Sequence, residues 1–482
     1  MIHWKERVAQ IPASVSQLSG PFPDLISRIL LSRGLDQKDL NDLINPKLST
    51  LKDPLSLKGM SLAVDRLVKA YRHHEKICIY ADFDLDGTSG LAILKYGLEK
   101  IGFSAVSYYQ PKRLSEGYGF HAEAVEELHK LGISLIITVD VGITSFKAFE
   151  KAQVLGVDVI LTDHHLPAEE LPKALTIVNP NQKECASGLG YLCGAGVAFY
   201  LLRAVKRAFY DDPSLPKNEW DLKEVLEFFC IGTLTDMVPL VEDNRVLVKY
   251  GLKALSNTDK AGLKSLLEAL NLGGRELTSQ DVAIRFAPKL NALSRMESEI
   301  LPAQIYLESD WQKSELMVSQ ILENNETRQS LQNNAEGIAF KLLEDWAEPD
   351  FIFVSSVLFH RGIIGLIATK LAQHFNRPAF VGSENSDGLV VGSSRVPAGS
   401  EISLVSALKS GEAVLNRFGG HAAAAGFELH AKNQKGFVEL LKNHFNNFKS
   451  QEPILEMDFD TSAELSEVNQ NAMSWHDFIG PF

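Results

Sequence analysis

Cysteine is scarce in this chain of 482 residues: Cys78, Cys185, Cys193 and Cys230 are the only four, and no two of them form a C-x-x-C pair. Their spacing argues against a zinc knuckle and against a disulfide framework, and it agrees with a reducing cytoplasm. Long apolar runs are lacking as well. No stretch approaches the roughly 20 uninterrupted apolar residues of a membrane span, and the opening MIHWKERVAQIPA has no apolar centre of the kind that marks a secretory signal. The expectation is a cytoplasmic protein with no membrane partner. Positive charge is in deficit, with a net charge of -13. That disfavours a protein that coats nucleic acid by bulk electrostatics, while leaving room for a local basic groove. Internal repeats and low-complexity tracts are also absent.

What is there is a globular composition, 45% hydrophobic and 23% charged, in a chain long enough to divide into two or more domains. Residues 1–70 read as a helical cap with Pro-containing turns at Asn45-Pro46 and Asp53-Pro54. From Lys76 the apolar runs 77–81, 135–139, 157–161 and 176–178 alternate with helical periodicity at 91–100, 121–131 and 144–155, the pattern of a parallel α/β sheet. Residues 71–245 are assigned to that domain. Helical patterns fill 246–347 and end in a long polar helix, Trp311 to Trp346, expected to connect two lobes. A second, smaller α/β domain is expected at 348–450, with strands at 351–359, 379–382 and 388–393, a helix at 363–375 and a glycine-rich turn at Gly419-Gly420.

Chemistry gathers at strand ends. The run ICIYA leads directly into Asp82-Phe-Asp84-Leu-Asp86-Gly, LIITV ends in Asp140, and VDVILT ends in Asp163-His164-His165. Ligands of open α/β sheets bind at the carboxyl ends of strands, so these side chains are expected to share one crevice. Taken alone, the first cluster would also fit an Asx turn capping a helix, and a lone histidine is usually structural. Three strands ending in this way point instead to a metal site, to which Asp236 in IGTLTDMVP is a fourth, weaker contributor. Six aspartates and one or two histidines are too many for one ion and suit two, with Asp140 central. Two ions clamp the attacking and leaving oxygens of an in-line displacement at phosphorus. Oxygen donors mixed with imidazole favour manganese over magnesium or calcium, and zinc is disfavoured without cysteine ligands.

The motifs DFDLDG, TVDVGI, TDHHLP and GTLTDMVPL, the loop PKRLSEGYGFH and the segment APKLNALSRME resemble the DHH phosphoesterase superfamily, most closely its bacterial single-stranded-DNA exonucleases. HRGIIGLIA, GSSR and GGHAAAAGFEL resemble the associated DHHA1 domain. The resemblance runs through nearly the whole chain. It implies that Asp84, Asp86, Asp140, His164 and Asp236 are metal ligands, with Asp82 a further ligand or a supporting acid. It implies that His165 touches the scissile phosphate and that Asp163 orients the pair. Arg295, Arg361, Arg395 and His421 fall where the family grips phosphates, with Asn291, His360, Gly419 and Gly420 beside them in the same motifs. In the loop Pro111–His121, Arg113 would hold phosphate and Tyr118 would stack a base, although a flexible surface loop has a similar composition.

The function implied is a 5′ to 3′ exonuclease that reduces single-stranded DNA to mononucleotides with two Mn2+ or Mg2+ ions, in DNA repair and recombination. It would act as a monomer, alongside a RecQ-type helicase and a single-strand-binding protein. The family normally continues into an oligonucleotide-binding (OB-fold) barrel, and residues 451–482 read as the start of one that is cut short. A DHH phosphoesterase acting on short oligonucleotides or cyclic dinucleotides is the alternative enzyme, disfavoured by length. A scaffold without a metal site is disfavoured because every ligand position holds Asp or His.

Overall fold

A computed structural model describes residues 2–7, 20–35, 40, 43–344, 346, 350–446 and 455–480. The chain divides into two compact units. One is built from Trp4–Leu293, Glu299–Ile321 and Met457–Phe482, the other from Met1–His3, Ser294–Ser298 and Leu322–Glu456. No helix among the described residues is long and apolar enough to cross a membrane.

The first residues depart from the expected helical cap. IHWKE alternates apolar and polar residues, the period of a strand, and forms β1 (Ile2–Glu6), which pairs with the strand Leu455–Phe459. Helix Asp24–Ser32 follows after the residues outside the description, and its apolar side packs Ile26, Leu30 and Leu31 with Leu40, Leu43 and Ile479.

The runs ICIYA and LIITV are apolar at all but Thr138, so as strands they need cover on both faces, the condition of a central parallel strand. They become β2 (Ile77–Ala81) and, after β3 (Val106–Tyr109), β4 (Leu135–Val139). Both are buried throughout. With β5 (Asp158–Thr162) and β6 (Thr176–Val178) they form a parallel sheet in the order β3-β2-β4-β5-β6. The chain steps outward from β2 to β3, then returns to the other side of β2 as β4. The carboxyl ends of β2 and β4 therefore flank the switch point where such sheets bind ligands. Helices Gly194–Asp211 and Leu226–Asp236 pack against Leu85–Ile101 over this end of the sheet.

The second unit holds a mixed five-stranded sheet whose strands lie in the order 415–420, 424–430, 389–395, 379–384 and 352–356. β7 (Ile352–Ser356) and β8 (Ala379–Glu384) run parallel and are joined by helix Ile364–Phe375; β9 (Leu389–Arg395), β10 (Leu415–Gly420) and β11 (Ala424–His430) are antiparallel. Separate apolar clusters cover its two faces. Gly419 and Gly420, expected in a turn, instead end β10, where Gly419 pairs with Gly426 and Gly420 with Ala425. The long polar helix runs Trp311–Leu342, ending before Leu343 and Glu344, which the expected helix included; 345 and 347–349, with 447–450 of the expected second domain, lie outside the described residues.

Residues 455–479, expected to open a barrel, form strand β12 (Leu455–Phe459) and helix Gln470–Ile479, laid on the N-terminal segment. Phe22 meets Trp475 edge-on at 5.9 Å, and Arg28 pairs with Glu467 at 2.9 Å. Residues 451–454 and 481–482 of that expected segment lie outside the described ones, as do 1, 8–19, 36–39, 41 and 42 of the cap.

Candidate metal centre and active site

The sheet ladder itself aligns the acids. Ala81 pairs with Val139 and Val139 with Thr162, and the hydrogen bonding continues one residue further. The amide of Asp82 donates to Val139 O, that of Asp140 to Thr162 O and that of Asp163 to Val178 O, at 3.2, 3.1 and 3.3 Å. Three consecutive strands thus deliver an aspartate at the same height above the sheet edge.

Each carboxylate is then fixed locally. Asp84 caps helix Leu85–Ile101, its Oδ1 accepting from the amides of Asp86 and Gly87 at 2.9 and 3.0 Å. Asp86 lies at the N-terminus of helix Gly194–Asp211 and accepts from the amides of Gly194 and Ala195 at 2.6 and 2.8 Å, an anion held by a helix dipole. Asp140 adopts a left-handed backbone, φ 60°, a conformation rare outside glycine and tolerated best by Asp and Asn. Position 194 has to be glycine, because a Cβ there would sit 2.4 Å from the Asp140 Cβ. Asp236 ends helix Leu226–Asp236.

Asp163 holds the two histidines rather than facing the cluster. Its Oδ1 accepts from the amides of His164 and His165 and from His165 Nδ1, at 2.7, 3.0 and 2.8 Å, and its Oδ2 accepts from the amide of Ile143 at 3.0 Å. Two residues that the sequence reading missed hold the same loop from the other side. Asn179 Nδ2 donates to His165 O at 2.9 Å, and Asn181 Nδ2 donates to His164 O at 2.5 Å. Their signal was the Asn-Pro-Asn that follows β6, two amides at the carboxyl end of a fifth strand.

Three sets of side chains bring ligand atoms close enough to hold an ion: Asp82, Asp84 and Asp140; Asp86, His164 and Asp236; and Asp140 with both histidines. His164 Nε2 lies 3.1 Å from Asp140 Oδ1 and 3.7 Å from both Asp86 Oδ2 and Asp236 Oδ2. At 3.1 Å the first pair is near yet not aligned as a hydrogen bond. Asp82 Oδ1, Asp140 Oδ1 and His164 Nε2 are all buried without a hydrogen-bond partner. Buried polar atoms are rarely left unsatisfied, and three of them at one place fit divalent cations.

The electrostatics agree. Burial, reinforced by neighbouring carboxylates, pushes the Asp82 and Asp140 carboxyls well above the usual range and raises Asp84, and the same causes lift Asp236 to about 8. Without cations this cluster cannot stay fully ionised. Burial lowers His164, leaving a neutral imidazole, the form that binds metal. Burial also pulls His165 down, but its hydrogen bond to Asp163 and the charge of that carboxylate outweigh it, raising the imidazole to about 9. Asp163 is desolvated, yet the bonds it accepts from His165 and Ile143 hold it below the ordinary carboxylate value.

The remaining expected site residues form separate groups. The Tyr118 hydroxyl lies 3.5 Å from His165 Nδ1 and from Asp140 O, and Arg113 sits 4.9 Å over the Phe83 ring, so the loop Pro111–His121 borders the acids. In the second unit Arg295 donates to Gly362 O at 3.2 Å, and His360 Nδ1 accepts from the Gly362 amide at 3.1 Å. Arg395 ends β9, where it donates to Ser393 Oγ and Ser394 O. Its guanidinium lies 3.3 Å from the Cβ position of Gly365, in the first turn of helix Ile364–Phe375. Arg361 is exposed in the turn before that helix, and the His421 amide donates to Ala424 O at 2.8 Å in the β10–β11 turn. Asn291 shares helix Ala287–Arg295 with Arg295.

A parallel sheet with aspartates at its switch point and an Asp-His-His triplet at the next strand end is the arrangement of the DHH family. The chain matches the DHH family, N-terminal domain, over residues 76–233 and the DHHA1 domain over residues 350–447. Within that class it belongs to the family of the single-stranded-DNA-specific exonuclease RecJ. It is 30% identical to RecJ of Salmonella typhimurium over 477 residues, covering 94% of this chain and 81% of that protein. It is 32% identical to RecJ of Bacillus subtilis over 464 residues, 95% of this chain and 57% of that longer protein. The structure of RecJ in complex with Mn2+ from Thermus thermophilus superposes with a TM-score of 0.83 at 28% identity, covering all of this chain and 68% of that one. The expected α/β class and the family resemblance both hold.

Proposed function

We propose that this chain is a metal-dependent exonuclease that hydrolyses single-stranded DNA to mononucleotides, in DNA repair and recombination. The observation that carries it is the convergence of three unsatisfied buried ligand atoms on the switch point of the sheet. Asp82, Asp84 and Asp140 would hold one Mn2+ or Mg2+, and Asp86, His164 and Asp236 the other, with Asp140 reaching both. When bound, such a pair supplies Lewis acidity and activated water for in-line displacement at phosphorus.

The chain's own groups do the rest. His165, protonated at neutral pH and tethered through Nδ1 to Asp163, presents Nε2 as a donor to a non-bridging phosphate oxygen. Arg113 and Tyr118 hold the phosphate and base of the same nucleotide. Arg295, Arg361 and Arg395, with His360, His421 and the Gly419-Gly420 backbone, grip further phosphates of the strand. The 5′ to 3′ direction is what the family resemblance implies. A RecQ-type helicase and a single-strand-binding protein are the partners this activity calls for. A cytoplasmic setting agrees with four free cysteines, three of them buried.

Digestion of 5′-labelled DNA in manganese tests the assignment. Single strands are expected to disappear at least about tenfold faster than blunt duplex, the equivalent of about 1.4 kcal/mol of discrimination, and a circular single strand is expected to stay intact. Equal rates on strand and duplex, or nicking of the circle, would sink it.

A further inference from the structure

Helix Leu226–Asp236 ends on Met237 in a left-handed conformation, φ 59° and ψ 28°. A helix end of this shape is ordinarily given to glycine, or to asparagine. An unbranched apolar side chain there strains the backbone and needs another reason to be present. Met237 is also 86% exposed, although it directly follows Asp236. Leu166 is 80% exposed and directly follows His165. Asp236 and His165 both belong to the acid and imidazole cluster, and the half-exposed Tyr118 ring stands 5.9 Å from the His165 ring. Scattered exposed apolar residues need no explanation. Here two of the four most exposed large apolar side chains among the described residues are the immediate neighbours of cluster residues, and one of them is held in strain.

Resting on the assignment of that cluster as a phosphodiester site, we propose that Met237 and Leu166 are base-contact residues. Together with Tyr118 they seat the nucleobase of the nucleotide being released, and so set the position of its phosphate. An aliphatic side chain and a polarisable thioether fit the face of any base, which suits an enzyme that removes nucleotides regardless of sequence. The phosphate is gripped by charge and the base by apolar contact, so a terminal nucleotide lacking its base should be seated poorly.

The test compares two single-stranded oligonucleotides in manganese, one with an ordinary terminal nucleotide and one with an abasic terminal nucleotide. Wild-type chain is expected to prefer the ordinary end by about tenfold in kcat/KM. Met237→Gly suits the left-handed position, so its melting temperature should be unchanged or higher while the preference falls towards one. Met237→Leu should keep most of the preference, and Leu166→Ala should lower it. A Met237→Gly variant that retains the tenfold preference overturns the inference while leaving the exonuclease assignment standing. A wild-type chain that cleaves neither oligonucleotide overturns both.

Discussion

Replacing Asp140 with asparagine lowers manganese-dependent hydrolysis by at least ~10³-fold while leaving the fold intact. The loss is large because Asp140 belongs to two of the three ligand sets, approaching His164 Nε2 at 3.1 Å and sharing a set with Asp82 and Asp84. Removing one preorganised electrostatic group from an active site typically costs 10²–10³-fold, and this one serves both ions. The fold survives because asparagine keeps the shape of the side chain and, like aspartate, accepts the left-handed backbone at this position. It also removes a charge from a crowded cluster, so the metal-free variant should melt above the metal-free wild type. Steady-state hydrolysis alongside calorimetry checks both halves. An Asp140→Asn variant within tenfold of wild-type activity would remove Asp140 from the centre.

Metal-free chain loses stability between about pH 6.5 and 8, and manganese restores it. Asp236 is raised in the fold from an ordinary 3.8 to about 8. A carboxyl shifted upward contributes stability that is fully present below its unfolded value and is lost as pH rises through the folded one. Asp82 and Asp140 are raised for the same reasons and act with the same sign. His165, raised from 6.5 to about 9, adds a loss of the same direction across this window. His164 is lowered and opposes the trend only below its ordinary 6.5, and Asp163 matters only below 3.8. Ions bind the deprotonated ligands, so their stabilisation grows as protons leave. At a hundred times its Kd each ion adds about 2.7 kcal/mol. Melting curves at pH 6.5 and 8, with chelator and with manganese, should therefore diverge as pH rises. Parallel curves would show that the acids are not repelling one another.

Much of this site was legible because strand ends are local features. ICIYA, LIITV and VDVILT announce buried parallel strands, and the residue after each is an aspartate whose height is then set by the ladder. That Asp163 orients the two histidines was implied by the family resemblance rather than by the strand pattern. What stayed hidden depends on contacts far apart in sequence. Asp86 is fixed by amides 108 and 109 residues away, and the His164-His165 loop is fixed by Asn179 and Asn181. The strand at Ile2–Glu6 finds its partner only near residue 455, so its local pattern gave no sheet to join. Gly419 and Gly420 read as turn residues because small residues dominate their surroundings. In the fold, antiparallel pairing across β9, β10 and β11 overrides that local preference.

The proposed pair of ions sharing Asp140 can be counted. In a crystal of the chain soaked in Mn2+, anomalous scattering at the manganese edge should show two peaks roughly 3.5 to 4 Å apart. One should lie among Asp82, Asp84 and Asp140, the other among Asp86, His164 and Asp236, with Asp140 within bonding distance of both. A single peak, or a pair that leaves Asp140 without a bond to either, would contradict it.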